Sequence, residues 1–367
     1  KKNFFFKKMT KGFPSLIGNN GGSIRNKTIQ KLQLLVLVFV MISLTLKIYV
    51  QMFDSDYPCG KCALHENLPD NETNESSIPT ILTDDIDDTY DDNDNNDNDN
   101  NDLYIEPAYH PLPNSDITYD FTVVTGASEN HFCPTKSFLY YMKDMLKGFN
   151  ARLILYDLGF SNSQREILLK LQKLGYLAEL RTFDWSHYPK FWNITIARGE
   201  YAWKPAMVAE VARDYPGKLV WLDSGTLVER KYFTRLDSLL KKYNGFVSPR
   251  SSGTMKVWTH PGVYDYYGDD HKKYDRVVNC NGASATFDTI KTKHIIDDWF
   301  NCALVKDCIA PPGSSRINHR QDQAILTYLI AKNKLTCDYN RENIGIITHE
   351  DRHCKKYVSE YESTHEI

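Results

Sequence analysis

Two common nucleotide-binding motifs are absent from this sequence. It contains no Gly-x-Gly-x-x-Gly fingerprint and no P-loop, which excludes the ordinary dinucleotide-binding and nucleoside-triphosphate-binding folds. A strong positive charge is also lacking, because the net charge is −3, and this argues against nucleic acid as a partner. Among the eight cysteines, Cys59 and Cys62 are the only close pair, so zinc is a weak alternative to disulfide bonds.

The beginning of the sequence has the pattern of a membrane anchor. Residues 1–31 carry eight Lys or Arg and no acidic residue, and residues 32–53 are mostly apolar and carry a single charge, at Lys47. A bilayer core needs about 20 such residues. A cleaved signal peptide and a buried soluble helix are the alternatives, but no cleavage site stands out and a soluble helix leaves the basic flank unexplained. The positive-inside rule predicts a cytosolic tail at 1–31 and a single-pass, type II signal anchor at 32–53.

Residues 54–117 are predicted to form a disordered acidic stem. The segment 84–102 holds ten Asp and six Asn, which cannot bury enough apolar surface to offset the entropy lost on ordering. A calcium site is disfavoured, because the run lacks a Gly turn and a final Glu at EF-hand spacing. Sequons at Asn71, Asn74 and Asn193 predict N-linked glycans on the luminal side.

Residues 118–367 are predicted to be one luminal domain. The tail carries a net charge of +8, the anchor +1 and the stem −17, so the domain must carry +5 for the whole sequence to have −3. A mildly basic domain suits an anionic small ligand. Six of the cysteines lie here, and an even number in an oxidising lumen predicts disulfides. Cys302 and Cys308 are the candidates for a local bridge.

Apolar runs alternate with helical patterns in the first half of this domain. Strands are predicted at 121–125, 151–156, 177–183 and 219–222, and helices at 135–146, 163–174 and up to Arg213. This alternation predicts a Rossmann-like α/β fold with a mostly parallel sheet flanked by helices. Strand 219–222 is apolar throughout, as in a central strand, and it ends at Asp223, where open α/β sheets bind ligands. A turn or a helix cap is the alternative role of Asp223.

Four motifs of the domain resemble a known family. They are Val-Val-Thr-Gly-Ala-Ser-Glu-Asn-His at 123–131, Leu-Ile-Leu-Tyr-Asp-Leu-Gly at 153–159, Tyr-Ala-Trp-Lys-Pro at 201–205 with Trp-Leu-Asp-Ser at 221–224, and His-Arg-Gln-Asp-Gln-Ala at 319–324. In this order they resemble a little-characterised fungal and nematode family classed as type II membrane glycosyltransferases. They are more distantly similar to GT-A-fold transferases of nucleotide-diphosphate sugars, such as glycogenin-like enzymes. The resemblance covers residues 119–356.

The resemblance implies a function and a location. The protein would transfer a sugar from a nucleotide-diphosphate donor to a glycan or glycoprotein acceptor, as a glycoprotein of the Golgi or another secretory-pathway membrane. A relative that binds sugars or nucleotide sugars without turnover is the alternative. A membrane-anchored glycosidase is a further rival, although the sequence offers no glycosidase pattern.

The resemblance also implies donor-binding residues. The loop after the first strand would hold the nucleobase and ribose, and two cations would face the diphosphate; the residues are Thr125, Gly126, Asn130, Arg198, Lys204, Asp223 and Ser224. Lys204 lies near a helix start, which suits an anion, and an exposed helix lysine is the alternative. Asp223 matches the first carboxylate of the family's Asp-x-Asp motif, but Gly225 replaces the second. A Mn²⁺ or Mg²⁺ ion would then be held by Asp223 and His349, and the lost carboxylate weakens the case for it.

Catalytic roles follow from the last motif. Gln321, Asp322 and Gln323 resemble the Asp-Gln motif beside the transferred sugar in glycogenin-like enzymes. Asp322 would orient sugar hydroxyls or act as a base, and Gln323 would stabilise positive charge at the anomeric carbon. The alternative is that Asp322 caps the helix predicted at 324–330. The Gly-rich stretch 279–285 would form the acceptor wall, or else a plain turn.

Overall fold

The computed structural model describes residues 105–113, 117–337, 344–348, 353–365 and 367. The predicted cytosolic tail, the predicted anchor at 32–53 and most of the predicted stem lie outside these residues. Within the described ranges, no helix combines the length and the apolar character needed to cross a bilayer.

A mixed sheet lies at the centre of the fold. The strands, in chain order, are β1 (Phe121–Ala127), β2 (Ala151–Asp157), β3 (Glu179–Thr182), β4 (Lys218–Leu222), β5 (Leu227–Val228), β6 (Phe246–Val247), β7 (Arg250–Thr254), β8 (Val278–Cys280), β9 (Ser284–Asp288) and β10 (Ile346–Ile347). Six of them form one sheet in the order β3-β2-β1-β4-β9-β6, while β5 pairs with β10 and β7 with β8. Strands β1 to β4 are parallel, as predicted, and β9 runs antiparallel to β4 and β6.

Helices cover the sheet. In chain order they are α1 (Phe132–Met145), α2 (Asn162–Lys173), α3 (Trp203–Asp214), α4 (Arg230–Thr234), α5 (Leu236–Lys242), α6 (Met255–Trp258), α7 (Pro261–Tyr267), α8 (Lys293–Leu304), α9 (Lys306–Ile309), α10 (Gln321–Lys332) and α11 (Cys354–His365). Helix α2 begins with a capping box in which Ser161 and Gln164 satisfy each other's backbone amides. The predicted α/β architecture is therefore confirmed, with helix bounds within a few residues of those expected.

Strand β4 has apolar side chains on both faces of the sheet. Leu219 and Trp221 belong to one hydrophobic cluster, together with residues of α3 and α8. Val220 and Leu222 belong to the other cluster, with residues of α1 and α5. All four side chains are fully buried. The prediction of a central strand covered on both faces is confirmed, and this burial fixes the position of the residue that follows the strand.

All six cysteines of the described domain form disulfides. Cys302 is bonded to Cys308, which confirms the predicted local bridge. The long-range bonds, which spacing alone does not predict, are Cys133–Cys354 and Cys280–Cys337. The first of these ties α11 to α1. The second ties the end of β8, and with it the stretch 279–285, to the segment after α10.

Residues 105–110, in the predicted stem, contact the domain. Ala108 is buried, and its backbone amide donates to the Tyr188 hydroxyl over 2.9 Å. His110 Nε2 lies 2.7 Å from Glu210 Oε2, and Glu210 is completely buried in α3. A buried carboxylate needs such partners, because its desolvation is unfavourable. These contacts join the last described part of the predicted stem to the helix that carries Lys204.

Candidate active site

Asp223 follows β4 directly and lies at the carboxyl edge of the sheet. Its backbone amide donates to the Ala283 carbonyl over 2.9 Å, and its Oδ1 accepts from Trp221 Nε1 over 2.9 Å. The side chain is 42% exposed. Two hydrogen bonds therefore hold a partly exposed carboxylate in a fixed place, at the edge where α/β sheets bind ligands.

The ammonium group of Lys204 joins three separate segments. Lys204 lies in the first turn of α3 and is 4% exposed, so the alternative of an exposed helix lysine is wrong. Its Nζ lies 3.2 Å from Asp223 Oδ1 and 3.0 Å from Asp322 Oδ2. It also donates to the Gly282 carbonyl over 3.0 Å. We call these four residues, Lys204, Asp223, Gly282 and Asp322, the Lys204 centre.

Two indole rings lie beside the ammonium group. Lys204 Nζ is 5.4 Å from the ring centroid of Trp221 and 5.9 Å from that of Trp203. Trp221 is fully buried. A cation over aromatic faces is stabilised by the ring quadrupole, and the apolar rings lower the local dielectric. The charges of the Lys204 centre therefore interact more strongly than they would in water.

Burial and pairing shift the two inner ionisable groups. Burial favours the neutral amine of Lys204, but the charges of Asp223 and Asp322 outweigh it and raise the pKa of Lys204 above its ordinary value. Burial raises the pKa of Asp322, and the ammonium of Lys204 offsets only part of this effect. One ammonium faces two carboxyl groups, so Asp322 takes up a proton more readily than an ordinary carboxyl group does.

Helix α10 delivers three polar side chains to the same place. It begins at Gln321 without a side-chain capping hydrogen bond from the residue before it. The Asp322 carboxylate contacts Lys204, which is not the arrangement of the capping alternative. Gln323 Oε1 accepts from the Gly282 amide over 3.2 Å. A Cβ at Gly282 would lie 3.1 Å from Gln323 Cβ and 3.4 Å from Asp322 Oδ2, so a side chain there would crowd both residues.

Two buried acceptors of α10 can each take a further hydrogen bond. Gln321 Oε1 and Asp322 Oδ2 have no hydrogen-bond partner among the described residues, although each residue is only 4% exposed. Asp322 Oδ2 nevertheless lies 3.0 Å from Lys204 Nζ, so this atom is already in an ion pair, and a carboxylate oxygen in an ion pair can still accept one more hydrogen bond. Buried polar atoms are nearly always hydrogen-bonded in folded proteins. The free acceptors therefore indicate a place for a hydroxyl-bearing ligand.

The residues predicted to hold the nucleobase lie at the carboxyl end of β1, next to β4. Thr125 is fully buried, and its Oγ1 lacks a partner within the described ranges. Gly126 lies against α3, where an added Cβ would come within 2.9 Å of the Met207 side chain. Asn130 is exposed, and its Oδ1 accepts from Ser128 Oγ over 2.9 Å. Their shared edge is compatible with one site, and their role towards a nucleobase stays a prediction.

The remaining donor-binding candidates differ in their surroundings. Ser224 is buried immediately after Asp223. Arg198 is exposed, and its Nη1 donates to the Tyr201 hydroxyl over 2.9 Å. The structure therefore brings Lys204, Asp223 and Asp322 into contact, whereas Arg198 is engaged with a tyrosine. The contact of Arg198 with a diphosphate stays a prediction.

The predicted metal site rests partly on a residue outside the described ranges. His349 is such a residue, so its pairing with Asp223 stays a prediction. Among the described residues, no group of three His, Cys, Asp or Glu side chains is placed to hold a metal ion. The ammonium of Lys204 lies between the two carboxylates of the centre. The described donor set does not by itself fit Mn²⁺ or Mg²⁺, because an ammonium group already pairs with both carboxylates.

Sequence reasoning missed one residue of this region. Gln321 Nε2 donates to Glu200 Oε2 over 3.1 Å, which joins the segment before α3 to the start of α10. No motif singles out this glutamate. The Gly-rich composition of the stretch 279–285 did indicate a place in the site. Within it, the Gly282 carbonyl accepts from Lys204 and the Gly282 amide donates to Gln323.

Comparisons with known proteins match part of the chain. Residues 112–209 match a family described as "Protein of unknown function (DUF1647)". No curated protein matches the chain.

Several solved structures of glycosyltransferases are similar to the chain. The galactosyltransferase LgtC, in complex with donor and acceptor sugar analogues, is 19% identical with a TM-score of 0.38, over 57% of this chain and 70% of LgtC. Core-mannan synthase A of Aspergillus fumigatus, in its Mn/GDP form, is 11% identical with a TM-score of 0.36, over 65% of this chain and 74% of the synthase. The bifunctional glycosyltransferase WbbM is 14% identical with a TM-score of 0.38, over 60% of this chain but only 38% of WbbM. At these scores the activities of the three enzymes are not carried over to this chain.

Proposed function

We propose that this protein is a glycosyltransferase that moves a sugar from a nucleotide-diphosphate donor to a hydroxyl of a glycan or glycoprotein. The observation that carries this proposal is the Lys204 centre. A buried ammonium and a buried carboxylate with a free acceptor atom meet at the carboxyl edge of β4. Glycosyl transfer needs these two kinds of group, since negative charge leaves with the diphosphate and sugar hydroxyls must be held in place.

Lys204 supplies fixed positive charge. Its contacts with Asp223, Asp322 and the Gly282 carbonyl hold the ammonium in position before any ligand arrives. A charge that is already in place does not have to reorganise when the diphosphate departs, which is the basis of electrostatic catalysis. The proposed role of Lys204 is therefore to offset, together with Arg198, the charge that develops on the leaving group, since Asp223 and Asp322 already pair with the ammonium of Lys204.

Asp322 is assigned to the sugar. Its Oδ2 is buried and, in addition to its ion pair with Lys204, can accept a hydrogen bond from a hydroxyl. Burial raises its pKa, so the group is also suited to take up the proton that the acceptor hydroxyl loses. Gln323 is held through its Oε1 by the Gly282 amide, and it faces the same place with its amide group fixed.

We propose that the domain lies in the lumen of the secretory pathway. Three disulfides in the described part support an oxidising compartment. The basic tail and the apolar segment 32–53 support a type II anchor in the Golgi or a related membrane.

A sugar-binding or nucleotide-sugar-binding protein without turnover is the second candidate. Gly225 favours it, because the residue replaces a carboxylate that the family motif carries. A glycosidase is disfavoured by geometry. Its two carboxyl groups must flank the scissile bond, whereas the ammonium of Lys204 lies between Asp223 and Asp322.

The test is a panel of nucleotide sugars with the purified protein, reading out released nucleoside diphosphate together with calorimetric binding. We expect turnover in the wild type, and Asp322→Asn should abolish turnover while nucleoside diphosphate still binds. Asp237→Asn is the matched control, because Asp237 is an exposed partner of a surface lysine. Binding without turnover in the wild type would favour the second candidate. Failure to bind any nucleotide or sugar would contradict both.

The same titration examines the predicted metal. If Asp223 and His349 hold Mn²⁺ or Mg²⁺, nucleoside diphosphate should bind more weakly in EDTA than with Mn²⁺. Equal affinity in the two conditions would contradict a metal between Asp223 and the diphosphate.

A further inference from the structure

The segment before α3 has a left-handed backbone. All five residues of Ala197–Tyr201 have positive φ, between 43° and 61°, and four of them are not glycine. Residues with a Cβ rarely adopt this region, because the Cβ crowds the following carbonyl. Gly199 at the middle is required, since an added Cβ would lie 2.1 Å from the Trp192 carbonyl oxygen.

This turn places Glu200 against the start of α10. Gln321 Nε2 donates to Glu200 Oε2 over 3.1 Å, and Gln321 also has a positive φ of 36°. Two unfavourable backbone segments therefore meet through one side-chain hydrogen bond. Such backbone persists only where the surroundings over-determine it, and it is concentrated at ligand sites.

An independent observation indicates a ligand at this contact. The other end of the Gln321 amide, Oε1, is buried and has no partner in the described part of the chain. The next residue, Asp322, carries the free acceptor Oδ2. Glu200 uses Oε2 for Gln321, which leaves its second oxygen as a further acceptor. The Glu200–Gln321–Asp322 surface therefore offers hydrogen-bond acceptors to its ligand.

The charge of this surface narrows the choice of ligand. Glu200 is partly buried; burial raises its pKa, and the hydrogen bond from Gln321 and the charges of Lys306 and Arg316 offset only part of this effect. Lys204 is already shared between Asp223 and Asp322. A ligand that carries its own carboxylate would add negative charge beside Glu200 and Asp322, where the ammonium of Lys204 is already paired. A ligand with several hydroxyl groups would satisfy the acceptors of this surface.

We propose that Glu200, Gln321 and Asp322 form a subsite for a neutral sugar, and that Glu200 is the residue that selects against uronic acids. The inference rests on the proposed function only in taking the ligand to be a sugar. A merely structural role of Glu200, as a support for Gln321, would change the binding of neutral and acidic sugars alike. Selective discrimination is what separates the two roles.

The test uses ligand-observed NMR with methyl glycosides of glucose, galactose and mannose, each paired with its uronide. No nucleotide is needed, so the result does not depend on transfer. We expect the wild-type protein to bind at least one neutral glycoside about tenfold more tightly than its uronide, the effect of one like charge at about 4–6 Å. Glu200→Gln keeps an acceptor for Gln321 and should remove most of this preference. Gln321→Ala should weaken the binding of the neutral glycoside.

Glu229→Gln is the control, since Glu229 is a half-exposed partner of Lys231 and should leave the preference unchanged. The proposal is overturned if no methyl glycoside binds, or if Glu200→Gln keeps the wild-type preference at unchanged thermal stability. Sugar binding with the expected preference but no release of nucleoside diphosphate would contradict the transfer reaction and leave this subsite supported.

Discussion

Replacing Lys204 by Met tests the Lys204 centre most directly. The change removes the ammonium and keeps an unbranched apolar stem between Trp203 and Trp221. The Asp322 side chain is 6% exposed, so its carboxylate would lose its cation inside the protein, whereas Asp223 is 42% exposed and keeps contact with water. Removing one partner of a buried ion pair costs about 3–5 kcal/mol, and an exposed pair contributes about 0–1 kcal/mol. Nearly all of the expected loss therefore comes from Asp322.

The loss should depend on pH with a definite sign. Burial already raises the pKa of Asp322 in the folded protein, and without Lys204 the opposing effect disappears. The folded state then binds this proton more tightly than the unfolded state. The destabilisation by Lys204→Met should therefore begin to grow above the pKa that Asp322 has in the wild type, by about 1.4 kcal/mol per pH unit, until the still higher pKa of Asp322 in the variant is reached. We expect a larger loss at pH 8 than at pH 5.

Urea unfolding followed by tryptophan fluorescence measures these free energies. The double variant Lys204→Met/Asp322→Asn should recover most of the loss at pH 8, because the buried charge is gone. Lys218→Met is the control: Lys218 pairs with Asp237, which is 81% exposed, and the variant should lose less than about 1 kcal/mol. A loss below about 1 kcal/mol for Lys204→Met at pH 8, or no recovery in the double variant, would refute the reasoning.

Three further outcomes are expected. His319 donates through Nε2 to the Ile309 carbonyl and accepts at Nδ1 from a backbone amide, and burial lowers its pKa to about 4. The unfolded state therefore binds this proton at a higher pH than the folded state does, and the free energy of unfolding should fall by about 3 kcal/mol from pH 6.5 to pH 4. The fall should be smaller in His319→Gln. His110→Ala should cost about 1–3 kcal/mol in urea unfolding by removing a partner of Glu210, whereas the exposed neighbour Tyr109→Ala should be neutral. Asn193 is exposed in its sequon, so material from the secretory pathway should shift in mobility on endoglycosidase treatment, and Asn193→Gln should reduce that shift by one glycan while the sequons at Asn71 and Asn74 keep the rest.

The parallel half of the sheet could be predicted because its signals are local. The run from Leu219 to Leu222 is apolar on both faces, and the structure buries it on both faces. Helix α2 shows the limit of such patterns. Leu168 and Leu171 are buried as expected, but Ile167 and Leu174 of the same predicted face are 38% and 49% exposed. A helix that covers only one edge of a sheet buries a narrower stripe than its sequence offers.

The partners within the site could not be predicted, because they come from distant segments. The tertiary fold brings together Lys204, Asp223 and Asp322. In the central sheet the antiparallel strand β9 lies beside β4, although the two strands are far apart along the chain. Local reasoning could place Lys204 near one helix start and Asp322 near another. It supported an exposed lysine as strongly as a ligand-binding Lys204, and although it favoured a functional Asp322, a helix cap stayed open. Burial distinguishes these possibilities, and burial is a property of the tertiary fold.

The left-handed turn Ala197–Tyr201 sets the last prediction. Each non-glycine residue in this conformation costs roughly 1–2 kcal/mol, so its four such residues cost an appreciable part of a typical net stability of about 5–15 kcal/mol. Ala197→Gly should relieve one of these costs. Glycine also gives the unfolded chain more conformational freedom, which opposes folding, so the net gain in the free energy of unfolding should be up to about 1 kcal/mol. Gly199→Ala should destabilise it by more than about 2 kcal/mol, because its Cβ would lie 2.1 Å from the Trp192 carbonyl oxygen. Urea unfolding of both variants measures the two opposite signs. A neutral Gly199→Ala would contradict the left-handed turn, and with it the placement of Glu200 beside Gln321.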